Sequence, residues 1–232
     1  MNGITIITPT GDRPLASGLL RDYWMKNQTI KPDQWIIVDD GINTFDTSLL
    51  PDYAEYIKRE PTINPFIHSI GLNLELALSK VNHDNILIME DDDWYSTEYI
   101  SFMVNLLKSG ELVGLWGTNY YHVGVSGYRE MGREDHAALS MTAFKKSFIP
   151  KIIESIPGDI SVDMRIWRNN KGLLVDGRNK KLQVSIKGMP GRLNAGIGKI
   201  TKYYTPDIGY RKLKSWCNDA EIYIDLMEKK LV

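Results

Sequence analysis

The chain has 232 residues, a length that fits one large α/β domain or one domain with a small appendage, and its 43% hydrophobic and 25% charged content is ordinary for a globular protein and excludes a disordered or fibrous chain. No apolar run approaches the ~20 residues of a membrane span, and the opening MNGITIITPT lacks the basic and long apolar regions of a signal peptide. One cysteine, Cys217, excludes an internal disulfide, no Cys/His spacing suggests zinc, and a reducing, cytoplasmic setting is expected.

The net charge of −1 conceals an asymmetry: residues 1–130 carry 9 Lys+Arg against 18 Asp+Glu, and residues 131–232 carry 19 against 11. Between 145 and 215 basic residues interleave with Trp167, Tyr203, Tyr204 and Tyr210. Such a segment either attracts a polyanion or balances the acidic half as a solvated surface.

Along the chain, residues 4–8 read as a first strand, closed by Thr8-Pro9-Thr10-Gly11-Asp12-Arg13. Pro14 suits the first turn of a helix through about residue 27. A second strand, 34–38, ends in Asp39-Asp40-Gly41. Residues 53–60 read as a helix, 66–70 as a third strand and 72–81 as a helix with Leu74, Ala77, Leu78 and Val81 on one stripe. A fourth strand, 85–89, precedes a helix at 97–108. This alternation predicts a mostly parallel sheet. After 112–116 the rhythm changes. Residues 119–128 and 137–144 read as β segments around a charged turn at 129–135. Residues 147–155 and 159–169 read as helices, 183–186 as a short strand and 220–231 as a closing helix.

The densest chemistry is Glu90-Asp91-Asp92-Asp93, at the end of the aliphatic run Ile86-Leu87-Ile88-Met89. Near a surface two charges ~4 Å apart interact by roughly 4 kcal/mol, so four carboxylates in a row call for a neutralising partner. In an open α/β sheet the carboxyl end of a strand is also where ligands bind. Asp91 and Asp93 share a side if the chain stays extended, and their oxygens suit Mg²⁺ or Mn²⁺ beside phosphate. The bland alternative is an acidic approach to the next helix, which explains one or two acids rather than four. The loop at 8–13 offers Asp12 to a ligand amide or hydroxyl and Arg13 to phosphate; Asp39-Asp40-Gly41 offers carboxylates to ribose or base. The glycine-rich run 187–199 reads as a mobile loop carrying Lys187, Arg192 and Lys199. His68, His83, His122 and His136 fall at no metalloenzyme spacing. Trp94 and Tyr95 either stack on a sugar or pack inside.

Taken together, Pro9-Thr10-Gly11-Asp12-Arg13, Ile37-Val38-Asp39-Asp40-Gly41, Gly71-Leu72-Asn73, Asp91-Asp92-Asp93 and Thr142-Ala143-Phe144-Lys145-Lys146-Ser147 resemble, in order, the motifs of GT-A nucleotide-sugar glycosyltransferases, especially glycosyltransferase family 2. The resemblance implies an α/β GT-A fold with a mostly parallel, Rossmann-like sheet and a smaller acceptor-side β segment. Within one continuous domain, residues 1–117 would form the nucleotide-sugar half. Residues 118–232 would form the acceptor half, with 187–199 as a lid and a C-terminal helix. Thr8, Pro9, Thr10, Asp12, Arg13, Asp39, Asp40, Gly41 and Asn73 would line the nucleotide pocket, and Lys187, Arg192 and Lys199 would meet the diphosphate. Asp91 and Asp93 would hold Mg²⁺ or Mn²⁺, with Asp92 near the donor sugar; Glu90 and Asp92 are the alternative pair. Asp163 is the chosen base of an inverting transfer, with Asp159, Asp135 and Glu134 as rivals, because Val162 stands where the family carries Glu. The donor would be a nucleoside-diphosphate sugar. The acceptor would be a glycan or, given the basic second half, an anionic one such as hydroxymethylated DNA, which would place the chain in a host's cytoplasm were it viral. A nucleotidyltransferase, or a non-catalytic nucleotide or nucleic-acid module, would also present such carboxylates.

Overall fold

In the computed structural model, residues 3–43, 46–61, 69–157, 161–191 and 201–232 are described. Strand β1 (Ile4–Thr10) is buried along its whole length, as a run of β-branched residues at the centre of a parallel sheet should be. Helix α1 (Pro14–Leu19) opens on the proline and continues directly into a π-helical turn, Leu20–Met25, which turns Trp24 and Met25 inward. Strand β2 (Gln34–Asp39) lies parallel to β1, pairing Thr10 with Asp39.

Residues 54–58 overturn an expectation. The segment read as a helix at 53–60 is strand β3 (Ala54–Lys58), parallel to β2. Its half-exposed side chains give a pattern that local sequence reads either way. The unpaired edge of β2 decides, since backbone bonds from Trp35 N–H to Tyr53 and from Arg59 N–H to Asp39 close the ladder. The strand expected at 66–70 lies partly outside the described residues, and Ser69 and Ile70 open helix α2 (Ser69–Leu78).

Strand β4 (Asn85–Ile88) pairs with the other side of β1; β5 is the short Trp94–Tyr95, and α3 spans Tyr99–Leu106. Then follow β6 (Leu112–Trp116), β7 (Asn119–His122), β8 (Gly127–Glu130) and β9 (Thr142–Lys145), so Arg129 and Glu130 belong to a strand rather than a turn. Helices α4 (Ile149–Ser155) and α5 (Val162–Asn169) lead to β10 (Leu173–Asp176) and β11 (Gln183–Lys187). The chain closes with β12 (Thr205–Pro206), α6 (Arg211–Trp216) and α7 (Ala220–Glu228). Strand β10 and helix α6 have no counterpart in the sequence reading.

Among the described residues, seven strands form the main sheet in the order β10-β6-β9-β4-β1-β2-β3, and of these only β9 runs antiparallel to its neighbours. A smaller sheet, β12-β8-β7-β11-β5, stands beside it. Because β5 follows β4 after five residues and pairs with β11, the acidic run 90–93 lies at the seam of the two sheets. Trp94 and Tyr95 are fully buried there: Trp94 meets Trp24 edge-on at 6.3 Å, and Tyr95 leans on Tyr99 at 4.9 Å. Packing is their role. No helix among the described residues is long and apolar enough to cross a membrane.

Candidate active site

The order β3-β2-β1-β4 reverses direction between β1 and β4, since β2 and β3 were added on one side of β1 and β4 on the other. At such a reversal the loops leaving the carboxyl ends diverge and open a crevice. The β1 loop and the acidic run face each other across it.

The chain leaves extended geometry at Ile88 and turns through 91–93, so the condition for Asp91 and Asp93 to share a side is not met. Asp91 turns toward β1 and α1. Its Oδ2 accepts from Thr10 Oγ1 at 2.6 Å and Ser17 Oγ at 3.3 Å, and its Oδ1 lies 2.9 Å from Arg13 Nη2. Asp93 turns the opposite way, into the small sheet. Its Oδ2 accepts from Gln183 Nε2 at 2.6 Å and Ser185 Oγ at 3.3 Å, while its Oδ1 accepts from the Ile186 N–H at 3.1 Å and Lys187 Nζ at 3.4 Å. Asp92 stands between two cations, 2.9 Å from Arg13 Nη1 and 3.8 Å from Lys187 Nζ. The Glu90 side chain has no hydrogen bond or ion pair with any described residue, although Tyr95 donates to its backbone oxygen.

Among the described residues, four carboxyl groups therefore crowd around two cations, Arg13 and Lys187, in a largely buried corner. The electrostatics register the burial and the crowding. Burial, then Asp93 and Asp92, push the Glu90 carboxyl up to about 8 against the pull of Lys187 and Arg13. Burial pushes Asp91 up to about 6 despite Arg13, and raises Asp93 despite Lys187. No group of three or more His, Cys, Asp and Glu among the described residues is already arranged around a metal position.

The second strand's end is a tied network. Asp39 Oδ1 accepts from the Gly41 N–H at 2.7 Å, and its Oδ2 accepts from Tyr56 at 2.7 Å and Lys58 at 3.4 Å. Asp40 pairs with Arg59 at 2.9 Å and accepts from Asn73 at 3.2 Å; Arg59 also donates to Asn73 at 2.7 Å, which fastens α2 to the loop. Asp12, in a left-handed conformation with φ 52°, accepts from the Ile42 and Asn43 N–H groups at 2.9 and 2.8 Å. Its carboxylate clamps the β1 loop to the β2 loop. Thr8 accepts from Trp35 Nε1 at 2.9 Å, and Pro9 is buried opposite Val38.

On the other side, β7 and β11 pair Tyr120 with Ser185 and His122 with Lys187, so these four side chains share one face of the small sheet. Sequence reading did not single out Tyr120. Burial pushes its phenol up to about 12, Lys187 opposes this, and Asp163, Asp93 and Glu90 add to it. Tyr120 thus feels both the charge of Asp163, in the first turn of α5, and that of the acidic corner. His122 is buried beneath Gly188, edge-on to Tyr204 at 5.2 Å, and desolvation followed by Lys187 lowers its pKa. From Gly188 the backbone returns to the β1 loop: Gly191, at φ 121°, passes so close that a Cβ would lie 2.3 Å from the Asp12 carbonyl. Arg192, Lys199 and Asp159 lie outside the described residues. Glu134 and Asp135 are exposed on the loop after β8, with Asp135 held by Arg133 at 2.8 Å and His136 at 3.0 Å.

A mainly parallel sheet whose order reverses beside a carboxylate corner, with a smaller sheet closing one side, is the GT-A architecture of nucleotide-sugar glycosyltransferases. The chain belongs to Glycosyl transferase family 2, whose model matches residues 5–169. No curated protein matches it by sequence. Among solved structures it is similar to S. aureus TarS 1-349 in complex with UDP-GlcNAc, with a TM-score of 0.55, 12% identity and coverage of 85% of this chain and 61% of that one. It is also similar to the mannosyltransferase PcManGT from Pyrobaculum calidifontis in complex with GDP-Man and Mn²⁺, with a TM-score of 0.54, 14% identity and coverage of 82% and 57%. A further TarS structure gives a TM-score of 0.53 at 13% identity, covering 75% of this chain but 35% of that one. At these identities the likeness is one of fold, and the chain spans about a third to three-fifths of the length of these proteins.

Proposed function

We propose that the chain is a metal-dependent, inverting glycosyltransferase that moves a sugar from a nucleoside diphosphate to an acceptor hydroxyl. The observation that carries this reading is the acidic corner at the strand-order reversal, where four carboxyl groups gather around Arg13 and Lys187. Such a gathering of hard oxygen ligands matches a dication such as Mg²⁺ or Mn²⁺. Asp93 gives both oxygens to protein donors and Asp91 gives Oδ2 to Thr10 and Ser17 and Oδ1 to Arg13, which favours Glu90, with Asp92 beside it, as the residues that would hold the ion. The ion would supply positive charge to the diphosphate leaving group.

Each remaining part of the chemistry falls to this chain's own groups. The Asp39, Asp40 and Asn73 network shapes the mouth of the nucleotide pocket between β1 and β2. Arg13 and Lys187 lie where oxyanions of the departing diphosphate would gather, and a guanidinium and an ammonium held in a buried corner stabilise that charge with little reorganisation. Asp163, in the first turn of α5, takes the proton from the acceptor hydroxyl as it attacks the anomeric carbon and the diphosphate leaves. The backbone from Gly188 to Gly191, crossing from Lys187 to Asp12, covers the corner and limits water.

Thermal unfolding with UDP, GDP, CDP or ADP, each with Mn²⁺ or with EDTA, tests this. One diphosphate is expected to stabilise the protein in Mn²⁺ alone. At a hundredfold excess over Kd the gain is about 2.7 kcal/mol, or roughly 5–10 °C in Tm. Equal stabilisation in EDTA would exclude the metal, and none with any diphosphate would exclude the donor site.

A further inference from the structure

Beyond the donor corner, a cleft of about 220 Å³ opens between the loop after β8 and helix α5, lined by Arg133, Asp135, His136, Met164 and Arg168. It lies next to Asp163 on α5, which immediately precedes the lining residue Met164. Met164 and Arg168, four residues apart, share a face of α5. Asp135 is committed to Arg133 through contacts of 3.1 and 2.8 Å, and to His136 Nδ1 at 3.0 Å. This pairing fixes the loop and cancels one positive charge. Arg168 makes no ion pair or hydrogen bond with any described residue, so its guanidinium is the uncommitted charge of the cleft.

We propose that this cleft receives an oxyanion, a phosphate or a carboxylate, carried by the acceptor sugar beside the hydroxyl that reacts. The proposal rests on the glycosyltransferase reading, which places the acceptor hydroxyl at Asp163. Drug-sized ligands fill pockets of ~300–1,000 Å³, so this smaller cleft suits one charged monosaccharide rather than a second nucleotide. A planar guanidinium fork matches phosphate and carboxylate, and Met164 gives the sugar an apolar wall. The excess of basic residues after position 130 supplies a field of the same sign.

Ligand-observed NMR titrations of the full chain with glucose 6-phosphate, glucuronate and glucose test the assignment. Wild type is expected to bind one of the charged sugars at least about tenfold more tightly than glucose. The tighter of the two names the group. Arg168→Gln should erase that preference and Arg168→Lys should restore part of it. Binding of UDP or GDP with Mn²⁺, measured in the same samples, should be unchanged by either substitution, which also reports that the variants are folded. Failure of every charged sugar to bind better than glucose, or a preference that survives Arg168→Gln, overturns the proposal. Absence of nucleoside-diphosphate binding in wild type would count against the transferase reading instead, whatever the sugars do.

Discussion

Asp92→Asn is expected to abolish metal-dependent nucleotide binding and glycosyl transfer while leaving the fold intact, whereas Asp93→Ala is expected to unfold the protein at a markedly lower temperature. The contrast follows from what each carboxylate touches. Asp92 shares its charge between Arg13 and Lys187, and each cation keeps a second partner when Asp92 is neutralised: Arg13 retains Asp91 and Lys187 retains Asp93. The amide fills the same volume, so Tm should change little. Loss of a carboxylate that would hold the dication should nevertheless weaken nucleotide binding on the order of a hundredfold or more. Asp93 is fully buried and accepts from Gln183, Ser185, the Ile186 N–H and Lys187, so its removal strands several donors inside the seam and leaves Lys187 only its longer contact with Asp92. Breaking such a buried pair costs about 3–5 kcal/mol, a fall in Tm on the order of 10 °C. Calorimetry of the two variants beside nucleotide titrations separates the roles. Should Asp93→Ala melt like wild type and lose metal binding while Asp92→Asn keeps it, the pairing is reversed.

Asp163→Asn is the second expected large effect. A general base contributes roughly 10²–10⁴ in rate, so kcat should fall by that factor while nucleoside-diphosphate affinity stays at the wild-type value. Position supports the assignment: Asp163 opens α5, and its charge reaches Tyr120, whose phenol also feels Asp93 and Glu90. Glu134, exposed on the loop after β8, serves as the comparison, and Glu134→Gln should change kcat by less than about tenfold. Turnover by Asp163→Asn at the wild-type rate would remove it from the mechanism and return the search to the neighbouring acids.

How much of this was legible beforehand depends on where the determining contacts lie. The ends of β1, β2 and β4 could be read because continuous aliphatic runs such as Ile86-Leu87-Ile88-Met89 have one stable use, as buried parallel strands, and polar loops at their carboxyl ends form the crevice. Residues 54–58 could not be read, because a half-exposed edge strand has no period of its own and is fixed by the free edge of β2. The register of the acids was lost for a similar reason. Alternation holds only while the chain is extended, and the turn at 91–93 sends Asp91 to Thr10 and Ser17 but Asp93 to Gln183 and Ser185, about ninety positions away. Tyr120 carried no motif at all. Its place beside Lys187 follows from pairing between β7 and β11, which local sequence does not encode.

The most direct test is anomalous diffraction at the manganese edge from crystals grown with Mn²⁺ and the diphosphate that stabilises the protein. A single strong peak within about 2.2 Å of carboxylate oxygens of Glu90 or Asp92, bridging to the diphosphate beside Arg13 and Lys187, is the expected result. Manganese and nucleotide bound together in another cleft, with the corner at 90–93 still closed by its own cations, would contradict it.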